Sequence, residues 1–217
     1  MGVALQVYSD LRARMLALEL QPRALLSRSS LAAHYGVSQT PIRDALLRLQ
    51  AEGLVRVYPQ SRTEVAPIEV SKVHQVQFLR RALEVEVVQQ LCECIDGQAL
   101  NELSGILKEQ RKVIGDDRAL DRFMALDQLF HATLFRHAGQ FELHQLVVEK
   151  SVHLDRVRRL QLPLRGKRRA IVSEHQAILN AIMDIDVTAA VQAIRGHLAG
   201  ARRNLETLLV SHPHFFE

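Results

Sequence analysis

Four residues on predicted helix faces are of types that bind metal ions: Asp127, His131, His175 and His197. Asp127 and His131 are four residues apart, so a helix would place both on one face, beside its apolar stripe. His175 and His197 lie on the apolar faces of two later predicted helices. A carboxylate and imidazoles together suit Zn²⁺, Ni²⁺, Mn²⁺ or Fe²⁺. A single buried histidine is more often a hydrogen-bonded core residue, but four such groups on converging faces favour a divalent metal site.

The helices that carry these residues belong to an all-helical second part of the chain. Apolar residues recur at three- and four-residue spacing in six segments, with Gly or Pro between several of them. The segments cover residues 73–95, 100–113, 119–137, 141–160, 170–183 and 187–210. Because short connections favour antiparallel neighbours, the pattern predicts a bundle of about six helices within residues 68–217.

Residues 1–67 are organised differently, and they predict a winged helix-turn-helix with a small β-wing. Residues 5–20 show helical apolar spacing. Residues 55–65 are rich in β-branched residues around a central Pro-Gln-Ser, as expected of a two-stranded wing. The fold class expected for the whole chain is therefore mainly α, with the domain boundary at residue 67.

Residues 31–54 read as two short helices joined by a tight turn. Gly36 ends the first helix at a point where a positive φ is needed. Ser38, or alternatively Thr40, offers an oxygen to the free amides at the start of the second helix. Pro41 fits the first turn of that helix, where its missing N–H costs little.

The second of these short helices is the predicted recognition helix. An apolar stripe that includes Ile42, Ala45 and Leu49 leaves its polar side chains facing outward, which is the geometry that enters a DNA major groove. For an arginine of the wing, a solvated surface charge is the alternative to a phosphate contact. The residues predicted to contact DNA are Arg28, Ser38, Gln39, Thr40, Arg43, Arg48 and Arg62.

Composition and charge agree with this division. The formal net charge is +4, of which +3 lies in residues 1–67, where eight Arg face five acidic residues. A positive footprint for phosphate is therefore concentrated around the helix-turn-helix. The start of the chain lacks the features of a secretory signal, no apolar run approaches a membrane span, and Cys92 and Cys94 read as reduced thiols. We therefore expect a cytoplasmic protein.

The front of the chain resembles the GntR family of bacterial transcription regulators. The resemblance rests on the recognition segment at residues 37–46, the Glu-Gly-Leu-Val turn at residues 52–55 and the wing at residues 57–65. Many members have Arg where Gln39 and Ser29 stand here, and in those members both arginines touch DNA. Because Arg43 is kept, the resemblance implies groove binding with a different preferred operator.

The order of parts is similar to the FadR-like subgroup, whose helical FCD domain opens much like Arg-Arg-Ala-Leu-Glu at residues 80–84. In many of its members an Asp or Asn and three His bind a divalent metal, and Asp127, His131, His175 and His197 stand in the matching places. The resemblance implies that carboxylates, such as organic or sugar acids, are the effectors. It also implies that the protein binds operator DNA as a homodimer.

Three residues are candidates to hold such an effector. Four protein ligands would leave positions open on a metal that prefers six, and an anionic molecule could fill them. Arg80 and Arg156 could each grip a carboxylate at two points, and His153 is a possible donor in the same pocket. A structural salt bridge, for instance between Arg80 and Glu84, is equally compatible with the spacing.

The leading hypothesis is a DNA-binding transcriptional regulator, in the commoner direction a repressor, whose operator affinity is controlled by a small carboxylate at the metal site. One alternative is a metal-dependent hydrolase, since a metal held by three His and one Asp could activate water. No sequence motif places a general base near the four candidate metal ligands, and a hydrolase would not explain the predicted DNA-binding domain. We therefore do not expect an enzyme. The other alternative is a regulator whose metal only stabilises the helical bundle.

Overall fold

The computed structural model describes residues 2–94 and 96–217, except the side chains of residues 202 and 203. The chain forms two compact units. Unit 1 contains the chain up to Val73 together with residues 149–159 and 205–217. Unit 2 contains residues 74–148 and 160–204.

The described chain is mainly helical, with one two-stranded antiparallel sheet. Unit 1 begins with α1 (Val3–Leu16), α2 (Arg28–Tyr35), α3 (Gln39–Ala51), β1 (Val55–Tyr58) and β2 (Arg62–Val65). The later helices are α4 (Val70–Cys94), α5 (Gly97–Lys112), α6 (Leu120–His137), α7 (Phe141–Lys150), α8 (Val152–Gln161), α9 (Lys167–Met183), α10 (Val187–Arg203) and α11 (Leu205–Ser211). The predicted fold class, a winged helix-turn-helix followed by a helical bundle, is confirmed.

The core of unit 1 forms because α3 buries its apolar stripe. Ile42, Ala45 and Leu49 have no exposed surface and pack with Leu11 and Met15 of α1. The two strands pair in antiparallel register from Val55 opposite Val65 to Tyr58 opposite Arg62. The helix-turn-helix is thereby held between α1 and the wing.

The turn between α2 and α3 follows the sequence expectation at one residue and departs from it at another. Gly36 has the predicted left-handed backbone, with φ of 63°. Ser38 takes the N-cap position of α3, but its side chain makes no capping hydrogen bond, so that prediction was wrong. The physical reason is Pro41, the third residue of the helix, because it lacks the N–H that an N-cap oxygen commonly accepts from.

Two predicted helices of the second part are each divided. The segment 141–160 breaks at Ser151 into α7 and α8, and the segment 187–210 breaks at Asn204 into α10 and α11. Both breaks lie close to points where the chain passes between the two units, since residues 149–159 and 205–217 belong to unit 1. Apolar periodicity continues across both breaks and therefore did not reveal them.

Unit 2 is built around α5, α6, α9 and α10, which pack on one another as α5 with α6, α5 with α9, and α9 with α10. Its core includes Phe123, Phe130 and Leu134 on α6 and Ile178 on α9, each at most 1% exposed. These helices carry the candidate metal ligands. None of the helices in the described ranges combines the length and apolarity needed to cross a bilayer.

Candidate metal centre and nucleic-acid interface

The four candidate ligands meet inside unit 2. Asp127 and His131 lie on α6, His175 on α9 and His197 on α10, and all four are buried. Each offers one ligand atom, and these atoms lie within 4.8 Å of one another. We call this group the Asp/His cluster. Three separate helices thus bring these polar residues to one point in the interior of unit 2.

The distances within the cluster suit a bound ion. The Nε2 atom of His197 lies 3.2 Å from Nε2 of His131 and 3.3 Å from Nε2 of His175. Two imidazole nitrogens that each lie about 2.1 Å from one metal ion, at tetrahedral or octahedral angles, are about 3.0 to 3.4 Å apart. The carboxylate of Asp127 is slightly farther away, with oxygens 3.8 Å from Nε2 of His175 and 3.9 Å from Nε2 of His131. The donor set and its spacing therefore fit a divalent transition metal.

The far nitrogen of each cluster histidine faces an oxygen atom. An oxygen at Nδ1 favours the tautomer with the proton on that nitrogen, which leaves the Nε2 lone pair free to bind a metal. Nδ1 of His175 hydrogen-bonds with Gln110 at 3.0 Å, and Nδ1 of His197 hydrogen-bonds with Glu174 at 3.0 Å. Nδ1 of His131 lies 2.7 Å from Oε2 of Glu84, an ion-pair distance without hydrogen-bond geometry. All three imidazoles are thus oriented with Nε2 toward the centre of the cluster.

Electrostatics support this protonation pattern at His131. Burial lowers the pKa of His131, which favours the neutral form that a metal requires. Burial opposes ionisation of Glu84, but Arg80 and His131 together lower the pKa of Glu84 well below its usual range. Nε of Arg80 lies 2.7 Å from Oε1 of Glu84. Glu84 is therefore a charged carboxylate that contacts an arginine on one side and a candidate metal ligand on the other.

The candidate effector residues have different surroundings. Arg80 was predicted to bind the carboxylate of an effector. In the structure it makes the alternative contact, a buried salt bridge with Glu84. It lies in unit 2 and is joined to the cluster through Glu84 and His131. If Arg80 binds an effector, it must do so while its Nε is hydrogen-bonded to Glu84.

Arg156 and His153 lie in unit 1, whereas the four residues of the Asp/His cluster lie in unit 2. Arg156 is fully buried, and its Nη1 donates to the carbonyl of Ala66 at 2.7 Å. Nδ1 of His153 accepts from the backbone N–H of Glu69 at 3.0 Å. These contacts hold the segment that follows the wing, and the effector roles of both residues stay predictions. The sequence did not indicate these contacts, because apolar periodicity continues across Ser151 and hides the start of a separate helix there.

These two groups also have perturbed pKa values. Burial, followed by the charge of Arg156, lowers the pKa of His153 to about 3. Burial lowers the pKa of Arg156 to about 10. At neutral pH His153 is therefore uncharged and Arg156 is charged, which matches the hydrogen bond between Nη2 of Arg156 and Nδ1 of His153 at 3.0 Å.

The residues predicted to contact DNA are on the surface of unit 1. Arg28 begins α2, and the polar residues of α3 lie opposite its buried stripe. All of the residues predicted to contact DNA are exposed, namely Arg28, Ser38, Gln39, Thr40, Arg43, Arg48 and Arg62. Arg62 projects from β2, pairs with Glu64 at 2.9 Å and stacks over the Tyr58 ring at 4.1 Å. The surface thus presents a recognition helix with the exposed arginines Arg43 and Arg48 beside a wing that carries Arg62, the arrangement of a DNA-binding winged helix.

Sequence reasoning missed the residues that orient the cluster histidines. Gln110 has no exposed surface although it is polar, and it lies on the apolar face of α5 with Leu103 and Leu107. A glutamine at such a position was the available signal, because a buried amide needs a partner. Glu174 directly precedes His175 in the chain, but it contacts His197 instead. No sequence pattern indicates that pairing.

A winged helix-turn-helix with an outward cationic recognition helix, joined to a helical domain, defines a DNA-binding transcriptional regulator. Comparison with known families agrees: residues 3–65 match the bacterial regulatory proteins of the gntR family, and residues 75–200 match the FCD domain. The chain belongs to the GntR family and carries an FCD domain. Its relatives are regulators of transcription, and the protein is not an enzyme.

Individual relatives extend over nearly the whole chain. An HTH-type transcriptional regulator in an unstable DNA locus of Streptomyces ambofaciens is 36% identical over 97% of this chain and 88% of its own. The gluconate operon transcriptional repressor of Bacillus subtilis is 25% identical over 97% of this chain and 88% of its own. The solved structure of Escherichia coli McbR/YncC has a TM-score of 0.73 at 21% identity and covers 98% of this chain and 99% of its own, which supports the fold.

Proposed function

We propose that this protein is a repressor whose operator affinity is controlled by a small carboxylate bound at a divalent metal in the Asp/His cluster. The observation that carries the proposal is the convergence of three Nε2 atoms, each oriented by an oxygen at the opposite ring nitrogen. A hydrogen-bonded core needs no such common orientation. A bound ion does, because each ligand must direct its lone pair to one centre.

The metal would be held by Asp127, His131, His175 and His197, with Zn, Ni, Mn and Fe as the candidate ions. When bound, it would supply positive charge at a buried site, which is the chemistry that attracts a carboxylate. The chain's own residues orient the imidazoles and exclude bulk water from the cluster. The gluconate operon repressor among the relatives is named for a sugar-acid operon, which supports sugar acids as the first effector class to test.

On the DNA side, we propose that α3 enters the major groove and the wing contacts the backbone or minor groove. Gln39, Thr40 and Arg43 lie on the exposed side of the first turns of α3, where base edges are read. A homodimer would present two such helices to a near-palindromic operator. An effector that binds two arrangements of the protein unequally would shift the population of the one that fits the operator. Because its target is the bacterial chromosome, we place the protein in the cytoplasm.

The proposal is tested with the purified full-length chain. Elemental analysis should find about one divalent transition metal per chain, and gluconate and related sugar acids should raise the melting temperature of the metal-loaded protein through ligand binding. Operator binding should fall in the presence of the same acid. Absence of any metal in protein purified without chelator, and after incubation with Zn²⁺, Ni²⁺ or Mn²⁺, would refute the proposal.

The competing hypothesis of a purely structural metal makes different predictions. In that case chelation should unfold the helical domain, and no carboxylate should stabilise the metal-loaded protein. The buried location of the cluster is compatible with either role. Effector-dependent stabilisation that disappears with chelator would decide in favour of sensing.

A further inference from the structure

A second candidate site lies on the surface of unit 2, in a groove between α4 and α10. It is lined by His74, Gln77, Phe78 and Arg81 of α4 and by Arg195, Leu198 and Ala199 of α10. We call it the α4/α10 groove. Its volume is about 650 Å³, which lies within the range of pockets that hold small molecules. The Asp/His cluster contributes none of the described lining residues, so the two candidate sites are separate.

The polar wall of the α4/α10 groove is basic. His74, Arg81 and Arg195 are exposed, and within the described ranges no carboxylate forms an ion pair with either arginine. No Asp or Glu is found among the described lining residues. Because cations without counter-charges in a concave wall attract anions, the groove is suited to a negatively charged group.

Two further features specify what the anion should look like. The side-chain nitrogen of Gln77 is buried and has no hydrogen-bond partner in the described part of the chain. A buried amide nitrogen without an acceptor is unfavourable, and because Gln77 lines the groove, rotation of its side chain would let a ligand oxygen supply one. The ring of Phe78 is 66% exposed, and the guanidinium of Arg81 lies 5.7 Å from its centre. This ring offers a flat apolar surface beside the positive charge.

We propose that the α4/α10 groove binds a small organic anion that carries an aromatic or other flat apolar part. Arg81 and Arg195 hold the acidic group, the amide of Gln77 rotates to donate a hydrogen bond to one of its oxygens, and Phe78 packs against the apolar part. A second copy of the chain suits the groove less well, since two identical basic grooves facing each other would repel. The proposal goes beyond the proposed function, because it requires neither a metal nor the Asp/His cluster.

The test uses anilinonaphthalene sulfonate, a fluorescent aromatic anion, with the full-length protein. Binding is followed by fluorescence titration of the wild type and of the double variant Arg81→Gln, Arg195→Gln. The double variant should raise the dissociation constant by at least about tenfold, because it removes two charge-assisted contacts. Phe78→Ala should weaken binding without a change of charge.

The matched control is the double variant Arg118→Gln, Arg169→Gln, which removes the same charge from two exposed positions outside the groove. It should change the dissociation constant less than about twofold, since isolated surface charges contribute little. A third variant, His175→Ala with His197→Ala, should keep wild-type binding of the probe. That result would also hold if the proposed function fails, so the two proposals can fail independently.

Several results would overturn the inference. The first is no fluorescence enhancement with the wild type, and the second is equal affinity in the wild type and the groove variant. Loss of binding in the His175, His197 variant alone would place the anion at the Asp/His cluster. If sedimentation shows a dimer that dissociates only in the groove variant, with unchanged probe binding, the occupant is a second copy of the chain.

Discussion

Removing the charge of Glu84 should weaken metal binding without changing any metal ligand. Glu84→Gln keeps the size of the side chain and a polar atom in the position that faces Nδ1 of His131. It loses the negative charge that makes His131 a stronger donor and that pairs with Arg80. Loss of such a supporting group typically costs about 10- to 100-fold in metal affinity. This corresponds to about 1.4 to 2.8 kcal/mol of binding free energy.

The assay is competition between the full-length protein and a chelating dye for Zn²⁺ at neutral pH. The matched control is Glu102→Gln: Glu102 contacts His137 at 3.1 Å, on the same helix as His131, but neither residue belongs to the Asp/His cluster. The control should leave Zn²⁺ affinity unchanged. Equal Zn²⁺ affinity in Glu84→Gln and wild type would refute the view that the carboxylate supports the ligand.

Folding must be measured separately, because Glu84→Gln leaves Arg80 buried without its partner. Breaking a buried ion pair commonly costs about 3 to 5 kcal/mol of unfolding free energy. Glu174→Gln avoids this difficulty, since the carboxylate that contacts His197 is 27% exposed. It should lower metal affinity less than Glu84→Gln does, because solvent screens its charge. Thermal unfolding in the presence of chelator reports the stability of each variant without metal.

Three further predictions concern the recognition helix α3, the Asp/His cluster and His153, which contacts the segment that follows the wing. Arg43→Ala should abolish specific operator binding in a gel-shift assay while the circular dichroism spectrum stays unchanged; retained affinity at moderate salt would contradict the placement of α3 in the groove. His175→Ala with His197→Ala should remove the metal, and elemental analysis that still finds one equivalent per chain would disprove this ligand set. Burial lowers the pKa of His153 in the folded protein to about 3, below its usual value of 6.5. Between these two pH values the unfolded state therefore binds a proton that the folded state does not. The stability that neutral His153 retains above pH 6.5 should decrease by about 3 kcal/mol on lowering the pH to about 4. In His153→Gln the pH dependence of the unfolding free energy should be shallower, and an equally steep profile would exclude His153 as its source.

The spacing of apolar residues along the chain was enough to predict the helix-turn-helix. The stripe of Ile42, Ala45 and Leu49 and the glycine at position 36 are properties of neighbouring residues, so they predict a helix, its buried face and its turn without the rest of the chain. The same reasoning placed Asp127 and His131 on one face of α6. It did not foresee that Pro41 leaves Ser38 without a capping partner, although both residues are in the motif.

Residues far apart in the chain were harder to place. Arg156 and His153 are polar residues on a helix that is buried over most of its length. From the sequence alone, such residues could belong to any buried pocket. Only the folded chain shows that they contact Ala66 and Glu69 in unit 1. The pairing of Glu174 with His197 depends likewise on the packing of α9 against α10.

The sequence by itself determined the classes of element, the exposed face of α3 and the residue types able to bind a metal, because these depend on helical periodicity and on side-chain chemistry. Tertiary structure alone decided which groups share a site. It brought the Asp/His cluster within 4.8 Å, placed Gln110 and the carboxylates behind its histidines, and kept Arg156 and His153 in unit 1. The reason is that helix packing, rather than separation along the chain, sets the distance between side chains on different helices.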